Sequence, residues 1–216
     1  KGPNTGGMGS YSSSNHLLPF LTQKDLDDAH VITEKTLAAL AEETGVQFKG
    51  IMYGGFMAVK NGVKLIEYNA RFGDPEVMNV LPILKTDFIE ICEAISNGSL
   101  DKIKIEFEKK ATVCKYIVPL GYPDKPVSGA KISIEPSAGN ENLKMYYASV
   151  DQKPDGLYLS SSRAIAFVGI ADTLEKAEQI AESACSNVKG PVFYRPDIGT
   201  KELIEKRVSM MKSLRS

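Results

Sequence analysis

The stretch EYNARFGDPE, Glu67 to Glu76, carries the most specific pattern in the chain. In an extended strand residues i, i+2 and i+4 share a face, so Glu67, Asn69 and Arg71 project together. A carboxylate beside an amide oxygen supplies two hard oxygen ligands. They suit Mg2+ or Mn2+, with phosphate oxygens and waters in the remaining positions. Arg71 can hold a phosphate or carboxylate with its planar fork. Such a trio belongs where a nucleoside triphosphate meets an anionic substrate. A solvated strand face shows the same alternation. Asp74 before Pro75 also fits a helix N-cap followed by proline at the first helical position. Glu76 fits a first-turn carboxylate favoured by the helix dipole.

The segment before this stretch reads as the other arm of a hairpin. KGIMYGGFMAV and VKLIEYNAR are two apolar strands, joined by a turn at Asn61-Gly62. Further upstream, Thr22 and Asp25 form a T-x-x-D capping signature that starts a helix. Its apolar face is Leu26, Ala29, Leu37 and Leu40, with Thr33 as a polar interruption, and Gly45 stops it. Downstream, Pro82 ends or kinks the helix that Asp74 opens. A further helix spans Thr86 to Asn97, with Phe88, Ile91, Cys92 and Ile95 as its stripe and Gly98 as its stop. The first twenty residues read as loop. Within them Asn4, Thr5, Gly6, Gly7, Met8 and Gly9 offer backbone N–H groups with little side-chain bulk, which can wrap an anion. A plain glycine-rich turn has the same composition, and neither phosphate-loop nor dinucleotide glycine spacing is present.

From about Ala111 the pattern changes. ATVCKYIVP, KISIEP, MYYASV and LYLSSSRAIAFVGIA read as strands separated by turns such as Gly121-Tyr122-Pro123-Asp124. An amphipathic helix follows, with a D-x-x-E capping pattern at Asp172 and Glu175 and a face of Leu174, Ala177, Ile180, Ala181 and Ala184. A last helix spans Thr200 to Leu214. The fold class is therefore α+β, with residues 1–107 as one part and 108–216 as a smaller mixed β/α domain.

Composition bounds the function. The 216 residues are 43% hydrophobic and 25% charged, with a net charge of −1. That balance argues against broad attraction to nucleic acid or to an acidic membrane. No apolar run approaches a membrane span. Cys92, Cys114 and Cys185 form no CxxC pair and read as reduced, buried cysteines of a cytoplasmic protein. His16 and His30 have no partner at metal spacing and read as structural or surface residues.

GPNTGGMGSYS together with EYNARFGDPE resembles the phosphoribosylamine–glycine ligase family, also called glycinamide ribonucleotide synthetases. These are ATP-grasp enzymes of purine biosynthesis. VPLGYP at 118–123, SSSRAIAFVGIADTLEKA at 160–177 and FYRPDIG at 193–199 resemble the family's C-terminal region in the same order. The resemblance implies the C-terminal part of an ATP-grasp fold followed by a smaller mixed β/α domain. It implies the joining of glycine to 5-phosphoribosylamine through glycyl phosphate, with ATP and Mg2+ or Mn2+. By the same match Glu67 and Asn69 are the metal ligands. Arg71 stabilises the transferring phosphoryl group or the glycine carboxylate. Asn4 to Gly9 line the acceptor pocket, Gly73 and Asp74 shape the turn beside it, and Asp74 binds the glycine ammonium. Family members begin with an N-terminal domain and an adenine pocket that have no counterpart here. The expectation is a C-terminal portion that needs the missing N-terminal portion of the same enzyme, with no nucleic acid or membrane partner. Ser161 and Ser162 stand where the family often has paired glycines. Two other readings stay open: an ATP-grasp ligase for a different carboxylate and amine, and a non-catalytic domain that binds a phosphometabolite or serves assembly.

Overall fold

The structure, a computed structural model, describes residues 5–135 and 140–216. Asn4 lies outside them. In chain order the elements are β1 (Gly9–Ser12), α1 (Gln23–Thr44), β2 (Tyr53–Val59), β3 (Gly62–Asn69), α2 (Val77–Val80), α3 (Phe88–Asn97), β4 (Ala111–Pro119), β5 (Lys131–Ile134), β6 (Leu143–Tyr147), β7 (Val150–Lys153), β8 (Gly156–Leu159), β9 (Ile165–Ala171), α4 (Leu174–Ser186), β10 (Val188–Lys189), β11 (Val192–Phe193) and α5 (Lys201–Arg215). They divide into two compact units. One gathers residues 5–16, Asp74–Pro82 and Lys109–Leu203; the other gathers Leu17–Gly73, Ile83–Glu108 and Ile204–Ser216.

In the second of these, α1 starts as its capping signature predicts. Asp25 accepts from the Thr22 N–H at 2.8 Å and from the Thr22 hydroxyl at 2.9 Å. The helix ends at Gly45, in the left-handed conformation. α1 covers one face of the β2–β3 hairpin. Thr33, the polar break in its apolar face, accepts a hydrogen bond from the Tyr68 hydroxyl at 2.9 Å. Val59 pairs with Gly62, so the hairpin loop is Lys60-Asn61, one residue earlier than the expected Asn61-Gly62. Helix α3 begins at Phe88 rather than Thr86. Asp87 caps it by accepting from the Ile89 N–H, while the Thr86 hydroxyl is engaged with the backbone of Lys104 and Glu106. Only Ile91 and Ala94 of this helix are buried. Cys92 is exposed, which corrects its reading as a buried thiol: it lies beside the buried line of the helix, not on it.

The other unit is built on β4, all nine of whose residues are buried. Its sheet runs β1-β4-β9-β6, and β11 also pairs with β4. A second sheet runs β10-β5-β8-β7. Helix α4 lies across β4 and β9. Gly169 permits that approach, because a Cβ there would stand 2.0 Å from the Ala177 carbonyl oxygen. Ala177, Ala181, Ala184 and Cys185 form the buried side of α4. Its cap is Thr173, whose hydroxyl accepts from the Lys176 N–H, and not Asp172, which is drawn away to Lys110 at 2.6 Å. The stretch read as one strand over 157–171 is two, β8 and β9, broken at 160–164. Strand β1 corrects the reading of the opening as loop. Its partner is β4, in the register Gly9 to Lys115 through Ser12 to Thr112. That partner lies a hundred residues away, and no local alternation announces it.

Two outcomes follow. Arg215 grips Asp25 through both guanidinium nitrogens, and this pairing lowers the Asp25 carboxyl from its ordinary 3.8 to about 2. The folded chain therefore binds that proton less readily than the unfolded chain. The stabilisation is complete above about pH 4 and lost as the pH falls toward 2. Urea midpoints of wild type and Asp25→Asn should differ at pH 7, with the variant lower, and converge near pH 2. Gly169→Ala should destabilise its unit by about 1–3 kcal/mol through overpacking under α4, read by thermal or urea unfolding.

Candidate functional site

Asp74 and Arg163 form the centre of a polar cluster. One guanidinium nitrogen of Arg163 donates to Asp74 Oδ2 at 2.8 Å. The other donates to Asp74 Oδ1 and the Asp74 carbonyl at 3.2 Å, and to the Gly7 carbonyl at 2.9 Å. Tyr116 donates its hydroxyl to Asp74 Oδ1 at 2.9 Å, and its ring lies 4.7 Å from the Arg163 guanidinium carbon. Burial, then the adjacent Asp74 charge, hold the Tyr116 hydroxyl far above its ordinary range. These contacts correct the reading of Asp74 as a helix cap. Its carboxylate is turned to Arg163 and Tyr116, and α2 starts three residues later, with Glu76 at the cap position.

The glycine-rich opening closes one side of this cluster. A Cβ on Gly6 would stand 3.2 Å from the Tyr122 hydroxyl and 3.3 Å from Arg163 Nε. On Gly7 it would stand 2.5 Å from the Pro75 ring, and on Gly9 2.3 Å from the Cys114 carbonyl. The loop thus needs glycine for close approach. Thr5 is half-buried, Met8 is buried, and Gly6 and Gly7 are exposed. The cluster offers a carboxylate, a guanidinium and exposed glycine backbone within a few ångströms. It can receive an ammonium at Asp74 and an anion at Arg163 or the loop. Arg163, Tyr116 and Tyr122 were not singled out from sequence, although VPLGYP and SSSR contain two of them.

Glu67, Asn69, Arg71 and Gly73 belong to the other unit. A register shift between Gly55 and Phe56 leaves Ile66 unpaired, so β3 is bulged. Beyond the bulge Glu67 pairs with Gly55 and Asn69 with Tyr53, while Tyr68 points to α1. Glu67 and Asn69 therefore share the face away from α1. Their side chains touch, with Asn69 Nδ2 3.4 Å from Glu67 Oε1. Two oxygen donors on one face fit a hard divalent cation. Among the described residues no group of three or more His, Cys, Asp and Glu is placed to hold a metal. Arg71 is exposed and donates to the Phe72 carbonyl at 2.7 Å; the Phe72 ring packs 6.1 Å from that of Phe88. Gly73 is buried. The buried Cys114 and Cys185 thiols are pushed up by desolvation, Cys185 to about 12, which leaves them inert as nucleophiles.

Comparison with known proteins identifies the family of the chain. Two family models match: the ATP-grasp (A) domain of phosphoribosylglycinamide synthetase over residues 1–77, and its C domain over residues 112–201. The phosphoribosylamine–glycine ligase of Methanocaldococcus jannaschii is 56% identical over 216 residues, which is 100% of this chain and 48% of that protein. The crystal structure of the Thermotoga maritima phosphoribosylamine–glycine ligase superposes with a TM-score of 0.75 at 28% identity, covering 92% of this chain and 48% of that one. The biotin carboxylase domain of Hydrogenobacter thermophilus 2-oxoglutarate carboxylase, solved with MgADP, ADP and bicarbonate, has a TM-score of 0.53 at 17% identity, over 90% of this chain and 41% of that one. This last likeness is one of fold alone. The chain spans about half the length of the curated relatives it matches. With an α+β ATP-grasp portion and both synthetase models matched in order, the chain belongs to the phosphoribosylglycinamide synthetase family.

Proposed function

We propose that this chain supplies the metal-ligand pair and part of the acceptor site of a ligase. That ligase joins glycine to 5-phosphoribosylamine, giving glycinamide ribonucleotide, ADP and phosphate. The observation that carries the reading is the convergence of Asp74, Arg163 and the Gly6-Gly7 backbone, one cluster able to hold both a cation and an anion. In the reaction a glycine carboxylate oxygen attacks the terminal phosphorus of ATP and ADP leaves. The ribosylamine nitrogen then attacks the glycyl phosphate carbonyl and phosphate leaves. Such a route needs no protein nucleophile; it needs positioning and charge neutralisation. Asp74 holds the glycine ammonium. Residues 4–9 line the acceptor pocket, Gly73 shapes the turn, and Arg71 faces the transferring phosphoryl group or the glycine carboxylate. Glu67 and Asn69 hold Mg2+, or Mn2+ in its place; the ion, when bound, neutralises phosphate charge as a Lewis acid. MgADP in the biotin carboxylase neighbour supports that ion for this fold.

The remaining half of the ligase length supplies most of the nucleotide site, so residues 1–107 complete an ATP-grasp domain and 108–216 form the C-terminal ligase domain. A cytoplasmic location, without nucleic-acid or membrane partners, belongs to the same reading. Among the described residues no helix is long and apolar enough to cross a membrane.

ADP release by the longer protein should require glycine, phosphoribosylamine and a divalent cation together. Release with a different carboxylate or amine, and none with these two, would overturn the assignment. In that protein Glu67→Ala should lower turnover by roughly a hundredfold or more at an unchanged unfolding temperature. Turnover near wild type would remove Glu67 from the metal site. Arg71→Lys should also impair turnover, because a point charge cannot replace the fork.

A further inference from the structure

Lys115 is a charge inside its unit that the proposed site does not use. It sits in the middle of β4 with its side chain fully buried. Its ammonium reaches Glu178 Oε1 at 2.6 Å, Glu182 Oε2 at 2.5 Å and the Pro196 carbonyl at 2.8 Å. The other oxygen of Glu182 accepts from the Tyr194 hydroxyl at 2.7 Å. The segment from Tyr194 to Pro196 is therefore fastened to α4 and β4 at two points. A buried ion pair is a poor device for stability alone, since apolar side chains of similar volume often serve as well. What it adds is direction: three bonds fix one carbonyl against one helix.

The consequence of that fixing lies at the glycine loop. Just beyond the fastened segment comes Ile198, buried against Gly9. A Cβ on Gly9 would stand 3.0 Å from Ile198 Cδ1 and 3.2 Å from Cγ2. Gly199 lies closer still against Val113, where a Cβ would stand 2.7 Å from Cγ1. On the other side of the same residue, Gly9 pairs in register with Lys115 itself, and the Tyr116 N–H donates to the Met8 carbonyl at 2.9 Å. The backbone of Lys115-Tyr116 holds the end of the loop, and the Lys115 side chain holds the segment packed on it. Adjacent strand residues face opposite ways. Lys115 thus points into the α4 side while Tyr116 points to Asp74.

We infer that Lys115, with Glu178 and Glu182, is a positioning residue: it clamps the 194–198 segment beneath Gly9 and so fixes the acceptor loop beside Asp74 and Arg163. The kinetic part of this inference rests on the ligase reading; the structural part does not. Glu182→Gln keeps the shape and can still meet both partners, its oxygen accepting from Lys115 and its amide donating to the Tyr194 oxygen, but it removes the charge that strengthens the hold on Lys115. Backbone amide exchange on the 216-residue chain tests the clamp directly. The expected result is exchange about tenfold faster at Tyr116, whose N–H holds the Met8 carbonyl, in Glu182→Gln, with the β5–β8 amides unchanged. No change at Tyr116, or an equal acceleration everywhere, would overturn it. The variant Lys115→Met/Glu178→Gln/Glu182→Gln leaves no buried charge unpaired, and should show the same local loosening if Glu182→Gln does not fold. In the longer protein, Glu182→Gln should raise the KM for phosphoribosylamine about tenfold and leave the KM for ATP unchanged. Equal effects on both would contradict a positioning role. Failure of wild type to turn over would count against the ligase reading while the exchange result still judged the clamp.

Discussion

The contact between Arg163 and Asp74 is the constraint on which the candidate site depends. It draws together three segments separated by dozens of residues: the opening loop at Gly7, the turn at Asp74 and the start of β9. Tyr116 closes the same cluster from β4. The charges are only partly screened from water, with the Arg163 side chain 17% exposed and Asp74 44%. Their value is less in stability than in geometry, because exposed ion pairs contribute little to folding. An exposed edge of the cluster is also what a ligand requires. A carboxylate with one face toward an arginine and one toward solvent can still receive an ammonium.

Beneath the cluster, the sheet supplies the rigidity that the glycine loop lacks. β4 is wholly buried, and β1 pairs along it in antiparallel register, with Tyr11 packed on the core that Val113 belongs to. Gly7 and Gly9 lie where a side chain would strike neighbouring atoms, the Pro75 ring and the Cys114 carbonyl. A segment with almost no side-chain mass of its own is therefore positioned by what surrounds it. Glu67 and Asn69 are placed differently. A β-bulge turns them onto the open face of a hairpin while Tyr68 anchors the other face to α1.

Much of this was legible locally. The Thr22–Asp25 box, the glycine stops at Gly45 and Gly98, the hairpin and the alanine face of α4 all depend on neighbours in sequence, and the structure contains them. The shared face of Glu67 and Asn69 followed from strand alternation. What was not legible depends on distant partners. β1 exists because β4 offers it an edge. Asp74 leaves its expected capping role because Arg163 and Tyr116 compete for the same carboxylate. Asp172 yields the cap of α4 to Thr173 because Lys110 lies within reach. Lys115 reads as one polar residue in an apolar run, and only the folded chain shows its two carboxylates.

The most direct test is an NMR titration of the 216-residue chain with glycinamide ribonucleotide, the stable product of the proposed reaction. The acceptor cluster lies within one compact unit, so it should bind without the nucleotide half. Saturable shifts at the amides of Gly6, Gly7 and Gly9 and at Arg163 Nε are predicted. An absence of saturable shifts there, or binding confined to another face, would contradict the placement of the acceptor site.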